Sequence, residues 1–477
     1  MIIKTYDVAI IGAGVIGCAI ARELSRYDWQ TVVLEENLEV GEAATKANSA
    51  IVHGGYDPLP GTLKAKLNVE GATMMPELAK LLDVPYQQIG SLVLAFNERD
   101  EAILEELLER GRQNGVTGLS IISRADVLTL EPNVSEAVVS ALLCTTAGII
   151  CPFNLTYALI ENAMANGVEL KRDHKVSAIV QEEAGFLLKT NQGDIRTRLV
   201  INAAGVGADQ IAALLSETDY EILPRKGEYR VLDKSEGKMV HHVIFQTPTP
   251  LGKGILVTPT VYGNLMMGPN YLEATDQDSL IPSQAELEKI DHQAKKSVPG
   301  LNIDKTIRTF SGLRATLDSG DFRIYPSESH PGFFHVAGID SPGLSSAPAI
   351  GKFVLDLVLE SGLILDRPKT QFSRDRTWIN VHSTRINKEL AGKEAAHLDH
   401  ETIICRCEGI SEAQIRQAIN RPAGAVTIDG VKRRVRAGMG RCQGTYCRSR
   451  VRKILAEELG IPEDQVPIDS KSRRGES

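Results

Sequence analysis

Asp7-Val-Ala-Ile-Ile-Gly-Ala-Gly-Val-Ile-Gly-Cys-Ala-Ile-Ala-Arg-Glu-Leu24 reads as a strand, a tight turn and a helix. Val8 to Ile11 form the β-branched apolar run of a buried parallel strand, and Gly12, Gly14 and Gly17 follow at G-x-G-x-x-G spacing. Gly12 permits the turn, Gly14 lets a pyrophosphate approach the backbone, and Gly17 lets the helix pack closely on the strand. The helix N-terminus offers unpaired N–H groups to the anion. A second strand, Thr31-Val-Val-Leu, ends at Glu35, where a carboxylate reaches a ribose hydroxyl. With no basic partner nearby for a 2′-phosphate, Glu35 favours FAD or NAD over NADP.

The 477 residues exceed what one core serves, so two or three domains are expected, and 43% apolar residues suffice to build them. A net charge of −8 gives no overall sign of nucleic-acid binding. The first strand begins within a few residues of Met1, and no apolar run approaches bilayer length. These features predict a cytoplasmic protein, with a partner as the route to any peripheral membrane association. Seven cysteines in so long a chain are no disulfide framework, and four of them fall in the last quarter.

Beyond Glu35, a small-residue segment from Gly41 leads to Asn48-Ser49 and His53-Gly54-Gly55, suiting close approach of backbone to a flat ligand. This segment resembles the one that passes the flavin ring in FAD-dependent oxidoreductases of the D-amino-acid oxidase and glycerol-3-phosphate dehydrogenase superfamily. Residues 60–67, Pro-Gly-Thr-Leu-Lys-Ala-Lys-Leu, are similar to its L-2-hydroxyglutarate dehydrogenase branch. One departure stands out: Tyr56-Asp57-Pro58 replaces the Arg-Tyr pair common after His-Gly-Gly in the glycerol-3-phosphate enzymes.

Residues 62–110 read as helical around a strand at Ser91-Leu-Val-Leu-Ala, and a further helix is predicted over 154–166. Cys144 and Cys151 lack partners at metal-ligand spacing and read as buried structural residues. Leu199-Val-Ile-Asn-Ala-Ala-Gly205 resembles the return strand of the FAD domain, which implies Gly205 beside the cofactor, with Asp209 capping the next helix. Strand-like pieces over 220–310 suggest an antiparallel insertion. Within it, Arg225-Lys226-Gly-Glu-Tyr229 is similar to an active-site segment of the family; the alternative is a basic surface loop. His241 and His242 lack a third ligand and read as strand-end residues. Phe333-Phe-His-Val-Ala-Gly338-Ile-Asp-Ser-Pro-Gly343-Leu344-Ser345-Ser346 forms a third flavin signature, with a helix starting near Ser345. Signatures near residues 12, 50 and 340 favour FAD; an NAD domain explains only the first.

Near the C-terminus, Cys405-Arg-Cys407 and Cys442-Gln-Gly-Thr-Tyr-Cys447 supply four thiols, with a well-capped helix from Ser411 between them. Their chemistry suits structural zinc or an iron–sulfur cluster, and spacing leaves both open. The arrangement resembles the [2Fe-2S] module of bacterioferritin-associated ferredoxin, found also at the end of anaerobic glycerol-3-phosphate dehydrogenase large subunits. Lys432, Arg433, Arg434, Arg436, Arg441 and Arg448 read as a solvated basic face or as a docking patch for an acidic electron-transfer partner.

The expected fold class is therefore α/β. A discontinuous Rossmann-like FAD domain (1–80, 145–218, 310–365) carries an inserted antiparallel α+β substrate domain (81–144, 219–309). A linker with a short helix (366–400) leads to a small helical [2Fe-2S] domain (401–465). The resemblance implies oxidation of the CH–OH of sn-glycerol 3-phosphate, with hydride passing to FAD N5 and electrons onward through the cluster. His53 is the candidate base, Arg314 the ligand of the substrate's anionic end, and Arg225, Lys226 and Tyr229 substrate contacts. Gly12, Gly14, Gly17, Glu35, Asn48, Ser49, Gly54, Gly55, Gly205, Gly338, Gly343, Leu344, Ser345 and Ser346 are the candidate FAD contacts. L-2-hydroxyglutarate, an amine or opine, and a purely electron-transferring subunit are the rivals. The expected partner is an electron-accepting flavoprotein or iron–sulfur subunit in a hetero-oligomer.

Overall fold

The computed structural model describes residues 4–248, 254–274, 280–376 and 402–470. Strand β1 (Thr5–Ile11) lies in the middle of the first sheet, parallel to β2 (Thr31–Glu35) on one side and to Ile195–Asn202 on the other. Glu169–Arg172 continues the parallel set beyond β2, and Phe333–Ala337 continues it beyond the last turns of Ile195–Asn202. An antiparallel hairpin, Val176–Glu182 with Gly185–Thr190, pairs with the first half of that same strand.

Helices cover the sheet where the apolar pattern requires it. Helix α1 (Val15–Leu24) buries Cys18, Ala19 and Ile20 against Ile350 and Val354 of the helix Gly343–Glu360. That crossing is close: a Cβ on Gly351 would lie 2.7 Å from the Ala19 carbonyl oxygen. The turn between β1 and α1 is equally tight. Gly12 has φ +104° and a Cβ there would meet the Ala203 oxygen at 2.5 Å, while one on Gly17 would meet the Gly12 oxygen at 2.0 Å. Both positions therefore exclude any side chain, as the fingerprint reading predicts.

The second sheet is mainly antiparallel, built on Leu223–Leu232 paired along its length with Thr306–Thr316. Its one parallel pair joins Val243–Gln246 to Ser91–Ala95. Helices Glu98–Gln113 and Gln284–Ser297 close its two hydrophobic clusters. Because Thr306–Thr316 belongs wholly to this sheet, the chain returns to the first lobe after residue 316, not at 310.

Four local expectations change. The third-signature helix begins at Gly343, two residues early. The helix predicted over 154–166 spans Pro152–Ala165, with Cys151 as its N-cap. Asp209 lies inside the helix Ala208–Ala213 and accepts the Ile222 N–H rather than capping. The start of the expected linker is strapped down: Asn166 and Asn162 hydrogen-bond Ser373, and Arg376 pairs with Glu161. The short helix expected beyond it falls on residues outside the described ones.

The C-terminal lobe has a two-stranded ribbon, Ile403–Cys405 with Ile410–Ser411, and helices Glu412–Ile419, Ile428–Val435 and Arg448–Leu459. Ser411 and Gln414 form a complete capping box on the first helix. The lobe docks against the first one through buried ion pairs: Glu39 with Arg434 at 2.8 Å, Glu42 with Arg433, and Glu161 with Arg421 at 2.7 Å. It touches the second lobe as well, through Lys234 with Glu408 and through Arg436, whose guanidinium lies 4.1 Å over the Tyr262 ring.

Candidate active site and thiol centre

One cavity of about 1940 Å³ runs between the first two lobes. At one end lie Gly12, Gly14 and Val15 at the start of α1, and Thr45 Oγ1 accepts the Val15 N–H at 3.0 Å. Glu35 borders this end. It is fully buried, accepts the N–H groups of Ala13 and Asn37 at 2.9 Å each, and has no cation within ion-pair distance among the described residues. Burial pushes its carboxyl up to about 7, although those hydrogen bonds oppose the shift. Ala204, Gly205 and Val206 continue the wall.

The other end is polar and aromatic. His53 lies on the cavity wall, its ring 5.8 Å from that of Phe245. Its backbone is clamped on both sides: the N–H donates to Ser345 Oγ at 2.8 Å, and the C=O accepts from Asn68 Nδ2 at 2.9 Å. Asn48 lies on the wall and ties its own loop together, accepting the Ala50 N–H and donating to the Thr45 carbonyl. Ser49 Oγ stands 3.5 Å from the Tyr229 hydroxyl.

Strand register explains which of the basic residues arrive here. Arg225 and Arg314 are directly opposed on the two long strands and both guanidiniums lie beside the Tyr271 ring, yet only Arg314 lines the cavity. Arg314 lines the cavity 5.6 Å from the Tyr271 ring centroid, with Nη2 3.5 Å from the Asn270 carbonyl and its buried Nη1 without any partner. Arg225 instead pairs with Glu273 at 2.6 Å and does not reach the cavity wall. Lys226, one residue on, points to the other face of the pleat, where it pairs with buried Glu228 and donates to the Ile281 carbonyl. Of the three expected substrate contacts only Tyr229 lines the cavity.

Several expected cofactor contacts do not line the cavity. A Cβ on Gly54 would strike Cys144 Sγ at 2.4 Å, on Gly55 Val69 at 2.5 Å, and on Gly338 Leu317 at 2.3 Å, all away from the cavity. Ser345 and Ser346 are fully buried and bond to backbone, Ser345 to the His53 segment and Ser346 to the Pro342 carbonyl, so they position the wall without forming it. Gly343 and Leu344 do line it. Sequence reasoning missed Thr45, Phe245, Asn270 and Tyr271, and the Lys64–Asp340 pair at 2.6 Å on the cavity wall. Thr45 and Lys64 lie inside stretches already singled out for other reasons; Asn270 and Tyr271 follow a strand with no motif around them.

The basic C-terminal run separates into two populations. Arg433, Arg434 and Arg436 are buried and paired, so they form neither a solvated face nor a docking patch. Arg441 and Arg448 are exposed. The four thiols stand in two pairs, Cys405 with Cys447 and Cys407 with Cys442, the latter sulfurs 3.5 Å apart. Each pair joins one cysteine from each half of the motif. The described residues hold no cluster of three or more His, Cys, Asp or Glu poised for a single metal ion. Two thiol pairs suit a two-iron cluster, which takes two thiolates per iron. The hydrogen bond within the inner pair lowers the Cys405 thiol and raises that of Cys447, so the two share one proton closely.

These features fit FAD in the cavity: a glycine turn that tolerates no Cβ, a ready helix terminus, an unpaired buried carboxylate and a space of dinucleotide size. Comparison with known proteins agrees. The chain is 46% identical over 97% of its length to a glycerol 3-phosphate dehydrogenase of Caloramator mitchellensis, covering 96% of that protein. It is 33% identical to a glycerol 3-phosphate oxidase of Mycoplasma genitalium over 74% of this chain and 95% of the other. The solved structure of dithionite-reduced L-alpha-glycerophosphate oxidase from Mycoplasma pneumoniae with FAD bound superposes with a TM-score of 0.75 at 31% identity, over 79% of this chain and all of that one. Residues 403–457 match the BFD-like [2Fe-2S] binding domain. With residues 7–357 matching the model of the FAD dependent oxidoreductases, the chain belongs to that family and carries a [2Fe-2S] domain after it.

Proposed function

We propose that the chain oxidises sn-glycerol 3-phosphate to dihydroxyacetone phosphate and delivers the electrons to a separate protein. The observation that carries this reading is Arg314, a guanidinium that lines the cavity and makes no ion pair among the described residues. A cation beside a cavity offers an anionic ligand charge-assisted hydrogen bonds worth about 1.5–3 kcal/mol each. Tyr271 supports the guanidinium face and the Asn270 carbonyl lies 3.5 Å from Nη2, which holds the cation beside the cavity where a phosphate would sit. The 46% identity to a protein named glycerol 3-phosphate dehydrogenase supports phosphate over carboxylate as that anion. FAD, when bound, supplies the acceptor for the two electrons of the CH–OH group.

His53 is the proposed base that takes the hydroxyl proton, since its clamped backbone fixes the ring on the cavity wall. Gly12, Gly14, Glu35, Asn48, Ser49, Gly205, Gly343 and Leu344 are the proposed cofactor contacts, and Cys405, Cys407, Cys442 and Cys447 the cluster ligands. No helix among the described residues is long and apolar enough to cross a membrane. We place the enzyme in the cytoplasm, in a complex with its electron acceptor. Anaerobic bleaching of the flavin absorbance tests the reading. Rapid bleaching by glycerol 3-phosphate is expected, with slow or no bleaching by L-2-hydroxyglutarate or glycine; the reverse preference would assign a different substrate.

A further inference from the structure

The thiol centre has an inner and an outer side. Cys405 and Cys447 are 1% and 2% exposed, whereas Cys407 is exposed and Cys442 half-buried. The outer pair lies on two loops held together by packing, since a Cβ on Gly440 would come within 2.4 Å of the Cys407 Cβ. Around those loops the exposed side chains are of two kinds. Arg406, Arg441, Arg448 and Arg450 are cationic, and none makes an ion pair among the described residues. Tyr446, within the C-x4-C loop, is 81% exposed.

Stability does not account for this placement. Arg448 and Arg450 lie in the first turn of the helix Arg448–Leu459, where the helix dipole disfavours cations, and that turn has no acidic residue. The lobe has acids to offer, but Glu412, Glu457 and Glu458 pair with Arg416, and Glu408 with Lys234 and Arg436. An exposed aromatic side chain with unpaired exposed arginines on the same cysteine loops and the adjoining helix turn has the composition of a protein interface, which joins aromatic anchors to a charged rim.

We propose that this outer face, Arg406, Cys407, Arg441, Tyr446, Arg448 and Arg450, is the docking surface for an acidic one-electron carrier protein. The inference rests on the electron-delivering function above and names the class of its acceptor. The balance is complete with that carrier as oxidant: CH–OH becomes C=O, releasing two protons and two electrons, and two oxidised carrier molecules each take one electron. Opposite charges steer the encounter, so the association rate falls steeply with salt.

The test uses the full-length protein loaded with flavin and cluster, an acidic flavodoxin as the probe, and ferricenium as a small acceptor that needs no docking. Arg441→Glu and Arg450→Glu are each made, with Arg450→Gln as the milder variant, and the visible spectrum of the cluster checks that it is intact. Expected is flavodoxin binding that weakens about tenfold in each charge reversal at low salt, with a shallower salt dependence and unchanged ferricenium reduction. Unchanged flavodoxin affinity in both reversals would overturn the proposal. So would binding of the wild type to phosphatidylglycerol vesicles but not to flavodoxin, which would make the face a lipid contact. If flavodoxin binding depends on these arginines while glycerol 3-phosphate fails to bleach the flavin, the substrate assignment fails and the docking surface stands.

Discussion

Glu35 and Glu39 are both buried carboxylates four residues apart, and their surroundings drive them in opposite directions. At the cavity, Glu35 has no cation, and burial pushes its carboxyl up to about 7. In the seam between lobes, burial would likewise raise Glu39, but Arg434, Arg172 and Arg433 outweigh it and hold the carboxyl below its usual range. The arginines repeat the contrast. Arg434 is paired with Glu39, bonded to the Gly430 carbonyl and stacked at 4.0 Å on the Tyr157 ring, while Arg314 makes no ion pair among the described residues. In the seam opposite charges satisfy one another, and the result is a fixed third lobe. At the cavity neither Glu35 nor Arg314 has an opposite charge beside it among the described residues.

The largest effect should come from stranding a seam charge. Arg434→Met leaves Glu39 buried without its main partner and should lower unfolding stability by about 3–5 kcal/mol in urea titrations. Adding Glu39→Gln should restore much of that, because the amide oxygen still accepts from Val426 and Thr427. A loss under about 1 kcal/mol would break the comparison.

Next comes pH. The folded carboxyl of Glu35 lies above its unfolded value, so its ionisation opposes folding: flavin-free protein should lose on the order of 3 kcal/mol as pH rises from about 4.5 past 7, relative to Glu35→Gln. Glu39, shifted downward, should act oppositely, with its contribution present above the usual carboxylate range and lost in acid. Stability profiles of the two Gln variants with the same sign of pH dependence would refute the contrast.

Removing the cavity arginine should affect turnover and leave stability alone. Arg314→Met should lower kcat/KM for glycerol 3-phosphate by about 10²-fold, as expected for losing a charge-assisted contact, while its urea midpoint stays near wild type because no carboxylate is stranded. The smallest effect is expected at Thr427, whose Oγ1 accepts the Gly430 N–H at 2.8 Å and caps the helix that presents Arg433 and Arg434. Thr427→Ala should cost about 1 kcal/mol, and combining it with Arg434→Met should give less than the sum, since both act on one helix.

Much of this was legible in the chain itself. The glycine spacing near residue 12 requires close backbone approach, and the structure has no room for a Cβ at Gly12 or Gly17. The thiol spacing marked the C-terminal lobe, and Ser411 announced its first helix through a local cap. These features depend on neighbours within a few residues. By contrast, Gly54, Gly55, Gly338, Ser345 and Ser346 looked like cofactor contacts, and only the folded chain shows that they lie off the cavity wall, against Cys144, Val69, Leu317 and the His53 segment.

The sequence by itself determined the α/β class, a dinucleotide turn and a four-thiol segment near the C-terminus, because those follow from periodicity, turns and residue spacing within short windows, while resemblance to known families selected FAD and the [2Fe-2S] cluster. Only the tertiary structure decided which charges are satisfied. Glu39 meets Arg434 and Glu161 meets Arg421 across hundreds of residues, and Arg225 and Arg314 part company only through the contacts around two paired strands. The free energy of a charge depends on burial and on what lies within a few ångströms, and folding brings those neighbours from distant parts of the chain.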